Sequence, residues 1–280
     1  MKKLDLYDNN LGNGGASHIS TCLSKIEELD IGRCYISASG IKSISDAISK
    51  LPEPMKKLNL YDNNLGDRGA SHISTCLSKI EELDIGKCKI SASGIKSISD
   101  AISKLPEPMK KLDISWNNLC DDGASHISTC LSKIEELDIS KCNISASGIK
   151  SISDAISKLP EPMKKLDLFG NNLGDDGASH ISTCLSKIEE LDIGLCDISA
   201  SGIKCISDAI SKLPQPMKKL NLWSNNLGDD GASHISTCLS KIEELNIGLC
   251  DISASGIKCI SDAISKLPEP KPRVDVLDWQ

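Results

Sequence analysis

Five histidines, His18, His72, His126, His180 and His234, each stand four residues before a cysteine: Cys22, Cys76, Cys130, Cys184 and Cys238. On a helix that spacing sets an imidazole and a thiol on one face, which is the beginning of a metal site or of an activated thiolate. The set stops there. Structural zinc takes a full tetrahedral shell from the protein and catalytic zinc one ligand fewer, so a single pair per repeat is read as packing. Gly12-Asn13-Gly14-Gly15 is rich enough in glycine for a phosphate loop but lacks the following Lys-Ser/Thr, and it returns as Gly66-Asp67-Arg68-Gly69. It is read as a turn that starts a helix. Asn143-Ile144-Ser145 matches a glycosylation acceptor, a pattern that has meaning only on a secreted chain. No Ser-His-Asp set or carboxylate pair is unique to one place, and chemistry needs a unique place. The expectation is no catalytic residue, no metal, no cofactor and no enzyme.

The remaining cysteines follow the same logic. Of thirteen, ten recur at two fixed places, the helix positions above and Cys34, Cys88, Cys142, Cys196 and Cys250, with Cys120, Cys205 and Cys259 left over. A long stacked chain buries enough surface without bridges, so free thiols are expected. Net charge is −7 with no Lys/Arg run, which argues against a nucleic-acid partner. Asp5 and Asp8 interrupt the N-terminus where a signal peptide is apolar, and no segment approaches the ~20 apolar residues of a membrane helix. The expected location is cytoplasmic, away from membranes.

What must position such residues is a repeat. Met1, Met55, Met109, Met163 and Met217 open near-identical blocks, 1–54, 55–108, 109–162, 163–216 and 217–270, and residues 271–280 follow as a partial repeat. Each block divides again. Met1-x-x-Leu4-x-Leu6-x-x-Asn9-x-Leu11 is answered by Ile26-x-x-Leu29-x-Ile31-x-x-Cys34-x-Ile36, so ten half-repeats alternate at spacings of 25 and 29 residues. None can fold alone, and together they make a single solenoid domain, 1–280. Alternation at Leu4/Leu6 and Leu29/Ile31 predicts short strands with these side chains inward and residues 3, 5 and 7 outward. Ile19, Leu23 and Ile26, and likewise Ile41, Ile44, Ile48 and Leu51, share one helical face. Leu51-Pro52-Glu53-Pro54 ends the second helix. Asn9 and Cys34 follow their strands, where an amide or a thiol can satisfy backbone groups that have left the ladder.

An LxxLxLxxNxL half alternating with an LxxLxLxxCxL half, with Asn9-Asn10-Leu11-Gly12 and a glycine at 15 or 40, resembles the ribonuclease-inhibitor-like leucine-rich repeats over nearly the whole chain. The resemblance implies an α/β fold, a right-handed horseshoe with a parallel sheet on the concave face, helices on the convex face, and ligand binding mainly on the concave side. Two features depart from it. The first half is shorter than the family's usual unit, which alters the expected curvature, and no dedicated cap precedes Met1, which leaves an edge strand open to self-association. At the other end, aligning Lys271 with Met1 puts Val274 on Leu4 and Val276 on Leu6, predicting one more strand, with Trp279 covering the final layer.

Because the blocks are near copies, their differences stand out. The most varied fall at Tyr7, Tyr61, Ser115, Phe169 and Trp223; at Asp8, Asp62, Trp116, Gly170 and Ser224; at Arg33, Lys87, Lys141, Leu195 and Leu249; and at Tyr35, Lys89, Asn143, Asp197 and Asp251. Of the chain's seven aromatics, six occupy these places, and none is at a predicted core position. Exposed Tyr, Trp and Arg on a rigid scaffold are interface anchors, so these residues are the candidate partner site. Ring stacking that shields the sheet, or neutral surface drift, is the alternative. The flank runs from cationic (Arg33, Lys87, Lys89, Lys141) to Leu195, Leu249, Asp197 and Asp251, a polarity that would orient a partner.

Beside this site, Lys3-type and Glu28-type residues alternate on adjacent strands and can pair. The next column holds Asp5, Asp30, Asp84, Asp113, Asp138, Asp167 and Asp192 with Asn59, Asn221 and Asn246, placing like charges about 4.8 Å apart. Such a column would attract basic side chains of a partner; solvent screening with the flanking lysines is the competing account. The expected function is a non-enzymatic protein-binding scaffold that takes a protein ligand, basic in character, on its concave face. The alternative is an engineered or recently amplified repeat scaffold with no dedicated natural partner. Thirteen cysteines and an abrupt start argue against design.

Overall fold

A computed structural model describes residues 2–276. They form two compact units divided between Cys142 and Asn143. The first contains β1 (Lys3–Asp5), α1 (Gly12–Ser20), β2 (Glu28–Asp30), α2 (Ala38–Ile48), β3 (Met55–Asn59), α3 (Gly66–Ser74), β4 (Ile80–Asp84), α4 (Ala92–Ile102), β5 (Met109–Asp113), α5 (Cys120–Ser128) and β6 (Ile134–Asp138). The second contains α6 (Ala146–Ile156), β7 (Met163–Asp167), α7 (Gly174–Ser182), β8 (Ile188–Asp192), α8 (Ala200–Ile210), β9 (Met217–Asn221), α9 (Gly228–Ser236), β10 (Ile242–Asn246), α10 (Ala254–Ser265) and β11 (Arg273–Asp275).

Within each unit every strand pairs in parallel with the next in sequence, and every helix packs on its neighbours, so the chain is an α/β repeat solenoid. Register is strict: Leu29 faces Leu58, Leu58 faces Leu83 and Leu83 faces Leu112, all buried. Aliphatic side chains therefore stack on copies of themselves, and each one removed from water contributes roughly 1.5–3 kcal/mol. Met55, Leu60 and Ile85 fill the same layer, with Ile41, Ile44 and Ile48 closing it from the helices. The additional strand at the C-terminus is present, Val274 lying opposite Leu245. Trp279, expected to cap it, falls outside the described residues.

One expectation is corrected. Ile19, Leu23 and Ile26 do not share a helix: α1 stops at Ser20, Leu23 sits on a 3₁₀ turn (Leu23–Lys25) and Ile26 is already extended. Side chains end the helix by taking its last carbonyls. Ser20 Oγ donates to Ser17 O at 2.7 Å, Thr21 Oγ1 to His18 O at 2.8 Å and Cys22 Sγ to Ile19 O at 3.2 Å. Hydroxyls that bond backward in this way compete with helix continuation. The break recurs in every block, and it explains how a shorter half still returns the chain to its strand.

Candidate protein-binding surface

The turn after each strand is held by an amide. Asn63 Oδ1 accepts the N–H groups of Cys34 (3.2 Å) and Ile36 (2.8 Å), while Nδ2 donates to Ile31 O and Leu60 O, both at 2.9 Å. Asn117 and Asn225 repeat the pattern, and Cys34 Sγ donates to Leu6 O at 3.1 Å and Gly32 O at 3.3 Å. Burial pushes the thiol of Cys88 up to about 12 and that of Cys76 to about 11, which keeps both protonated and unreactive at neutral pH. Asn and Cys at these places support the turns, as their position after the strand suggests.

The acidic column has a local structural task that sequence reasoning missed. One oxygen of each side chain accepts the backbone N–H two residues on: Asp5 from Tyr7, Asp30 from Gly32, Asp84 from Gly86, Asp113 from Ser115, Asp138 from Ser140, Asp167 from Phe169 and Asp192 from Gly194. Asn59 and Asn221 do the same for Tyr61 and Trp223, and their amides also donate to Asp30 Oδ2 (3.0 Å) and Asp192 Oδ2 (2.7 Å). An Asn within the column thus converts a repulsion into a hydrogen bond. No Asn separates Asp84, Asp113 and Asp138, which occupy successive strands. Burial and the neighbouring Asp113 raise the Asp84 carboxyl to about 7, and burial with Asp138 raises Asp113. Lys3 and Glu28 stand opposite each other as expected, but the ion pairs close one residue earlier, Lys56 with Glu27 (2.8 Å) and Lys110 with Glu81 (2.6 Å).

A second missed group is Asp67, with its counterparts Asp175 and Asp229. Its Oδ1 accepts Ser91 N at 2.8 Å and its Oδ2 accepts Ser91 Oγ at 2.7 Å, so it caps the following helix from the preceding half-repeat. A Cβ on Gly94 would lie 2.6 Å from Asp67 Oδ1, which is why glycine stands there. Asn13 fills the same role in the first block.

The variable residues lie on the turns after the strands, off the helices. Their backbone is unusual. Asp8, Asp62, Trp116, Gly170 and Ser224, then Arg33, Lys87, Lys141, Leu195 and Leu249, then Tyr35, Lys89, Asn143, Asp197 and Asp251 all have φ between 50° and 67°. In an Ile-rich chain none of the fifteen is β-branched, the one sequence signal of left-handed backbone that was available.

Their exposure corrects the expectation of uniformly free rings. Tyr35 (73%), Trp116 (54%) and Tyr7 (40%) are exposed. Tyr61, Phe169 and Trp223 are half-buried and Ser115 is buried. Rings at the first variable position lie across the glycine of the next rung: a Cβ on Gly86 would meet Tyr61 at 3.0 Å and one on Gly194 would meet Phe169 at 3.0 Å. Where Ser115 replaces the ring, its hydroxyl donates to Asp113 at 2.7 Å and the aromatic group moves one residue on, to Trp116.

The two units differ in chemistry along this edge. In the first, aromatic and cationic residues alternate and partly neutralise each other. Asp62 accepts from Arg33 Nε (3.2 Å) and Lys87 Nζ (2.9 Å), and Lys141 Nζ stands 5.8 Å from the Trp116 ring centroid. The cationic flank is therefore weaker than the bare residues imply. In the second, Phe169 and Trp223 stack at 5.9 Å with planes 30° apart, and the Trp223 Nε1 is buried without a hydrogen-bond partner. Leu195 (36%) and Leu249 (47%) are exposed beside them, with Asp197 and Asp251 exposed two residues further on. Among the described residues no three His, Cys, Asp or Glu side chains group as a metal set, and no helix is long and apolar enough to cross a membrane.

Comparison with known proteins gives the same architecture. A profile of the family described as Leucine Rich repeat matches residues 1–20, 53–74, 76–99, 107–128, 130–153, 161–182, 184–207, 214–236 and 238–261. Ribonuclease inhibitor of Sus scrofa is 24% identical over 282 residues, covering 93% of this chain and 61% of that protein. Ribonuclease inhibitor of Mus musculus is 26% identical over 283 residues, covering 94% and 61%. NACHT, LRR and PYD domains-containing protein 3 of Homo sapiens is 25% identical over 297 residues, covering 99% of this chain and 28% of that protein. The chain thus spans less than two thirds of the length of each of these relatives.

Proposed function

The chain belongs to the leucine-rich-repeat family, and from that premise we propose that it is a non-enzymatic scaffold that binds a protein ligand on the strand side of the solenoid, the concave wall in this family. One observation carries the reading: the aromatic residues and most of the changes of charge and size between blocks are gathered on the turns at one end of the strands, while the core is repeated almost unchanged. An apolar core so constant can support any turn chemistry that a left-handed backbone tolerates, and rings, charges and leucines are what these turns hold. The names of the relatives add support, since a ribonuclease inhibitor acts on another protein. The acidic column, in which seven aspartates outnumber three asparagines, suits a basic ligand.

The test uses residues the chain already tolerates. Tyr61→Ser and Trp223→Ser copy Ser115, and Trp116→Asp copies Asp62, so the triple variant should fold. Affinity capture from a lysate with the parent chain and the variant should show proteins retained by the first and lost from the second, at equal circular dichroism. Identical capture by both would remove the turns from any binding role.

A further inference from the structure

Four consecutive rungs of the second unit carry Phe169, Leu195, Trp223 and Leu249 on these turns, an apolar ridge. Contiguity follows from the backbone: Leu195 N donates to Trp223 O at 2.7 Å, and Ser224 N donates to Gly248 O at 2.9 Å, immediately before Leu249. Both leucines sit on left-handed backbone, φ 50° and 53°, and both stay exposed. Each therefore carries a conformational cost that only partial burial offsets within the fold. Equivalent turns accept Arg33, Lys87 or Lys141, so leucine is not required by the scaffold. The ridge is bordered by the exposed Asp197 and Asp251, while in the strand column both oxygens of Asp192 are taken by Gly194 N and Asn221 Nδ2. Of the nearby cations, Lys165 pairs with Asp167 at 3.3 Å and Lys219 stands on β9 opposite Glu244.

We propose that this ridge is the anchor seat for bulky apolar side chains of a partner protein segment whose adjacent residues are Lys or Arg. The inference rests on the protein-binding reading above and adds the ligand chemistry of one part of it. Leucines and stacked rings supply apolar contact, and Asp197 and Asp251 select cations next to it.

The probe is a labelled peptide of alternating Leu and Lys, read by fluorescence anisotropy against the full chain. Controls replace Lys by Glu, or Leu by Ser. Leu195→Lys with Leu249→Lys disables the ridge by copying Lys87 and Lys141, so folding is preserved. In a Trp116→Phe, Trp279→Phe background the remaining indole, Trp223, reports on the site. The Leu/Lys peptide should bind saturably and shift Trp223 emission, and the double variant and both control peptides should each weaken binding by about tenfold or more. Equal binding of the Ser/Lys peptide would mean charge alone, and an unchanged double variant would mean the ridge is not the seat; either overturns the proposal. So would concentration-dependent dimers abolished by the double variant, which would assign the ridge to a second copy of the chain. If ligands captured in the preceding experiment are lost from the Tyr61/Trp116/Trp223 variant yet kept by the Leu195/Leu249 variant, the ridge fails while the broader reading stands. If neither variant loses them, both fail.

Discussion

Asn117 answers for backbone groups on two rungs at once: it accepts from Cys88 N and Ile90 N and donates to Ile85 O and Ile114 O. Asn117→Ala leaves those groups buried and unpaired, and should cost about 3 kcal/mol or more, read as a fall in the urea midpoint. Asn9 is the internal control, because it is exposed and donates only to Leu6 O and Tyr7 O, so Asn9→Ala should cost far less. Equal losses would mean that the ladder acts through something other than these bonds. At the same scale, Asp84 and Asp113 conflict across one strand spacing. The Asp84 carboxyl ionises near 7 in the folded chain against an ordinary 3.8, so the folded state holds its proton more tightly than the unfolded state does. The resulting penalty is absent below the ordinary value, grows as pH rises toward 7 and is complete above it. Asp113→Asn removes one of its causes, leaving burial and the more distant Asp138, and supplies the amide that Asn59 supplies to Asp30. It should raise stability above pH 7 by up to about 1 kcal/mol and shrink the pH dependence, measured by denaturation at several pH values.

Elements were legible in the sequence where one periodicity ruled them. Leu4, Leu29 and Leu58 fall in the strands predicted, and Ile41, Ile44 and Ile48 line one helical face, because burying a fixed pattern leaves few alternatives. The first helix was legible only to Ser20. Its apolar spacing continued through Ile26 while hydroxyl bonds ended it, a competition that spacing does not encode. The candidate site was legible as a set of positions, since near-identical blocks expose their own differences, but the half-burial of Tyr61, Phe169 and Trp223 depends on rings folding over glycines on the next rung. Cross-repeat capping was hidden for a similar reason. Asp175 caps α8 through Ser199 N (2.8 Å) and Ser199 Oγ (2.6 Å) although 24 residues separate them. Asp175→Ala should therefore cost about 1 kcal/mol, within the range of lost N-caps, while Asp175→Asn, which copies Asn13, should cost less. An alanine variant as stable as the parent chain would show that water replaces the cap.

At the scale of the whole chain, repetition makes one substitution available several times over in matching surroundings. Ser45, Ser99, Ser153 and Ser207 each bury a hydroxyl inside a helix facing the core, where its polar neighbour is the buried thiol of the next half-repeat, Cys76, Cys130, Cys184 or Cys238. Replacing any one by Ala removes a buried hydroxyl whose neighbouring thiol is only a weak hydrogen-bond partner, and favours the helix, which should stabilise the fold by about 0.5–1 kcal/mol. Ser45 and Ser99 sit on α2 and α4, with α3 between them, as Ser153 and Ser207 sit on α6 and α8 around α7. Helices pack roughly 8–10 Å apart, so members of a pair, with a helix between them, do not touch each other and their effects should add. Energies in a solenoid are sums of local and nearest-neighbour contributions, so the pair Ser45→Ala, Ser99→Ala should gain close to the sum of the two single changes. Urea denaturation of the singles and the pair decides this. A pair that gains markedly less than that sum would mean that strain passes through α3, and that adjacent repeats are coupled more tightly than their contacts indicate.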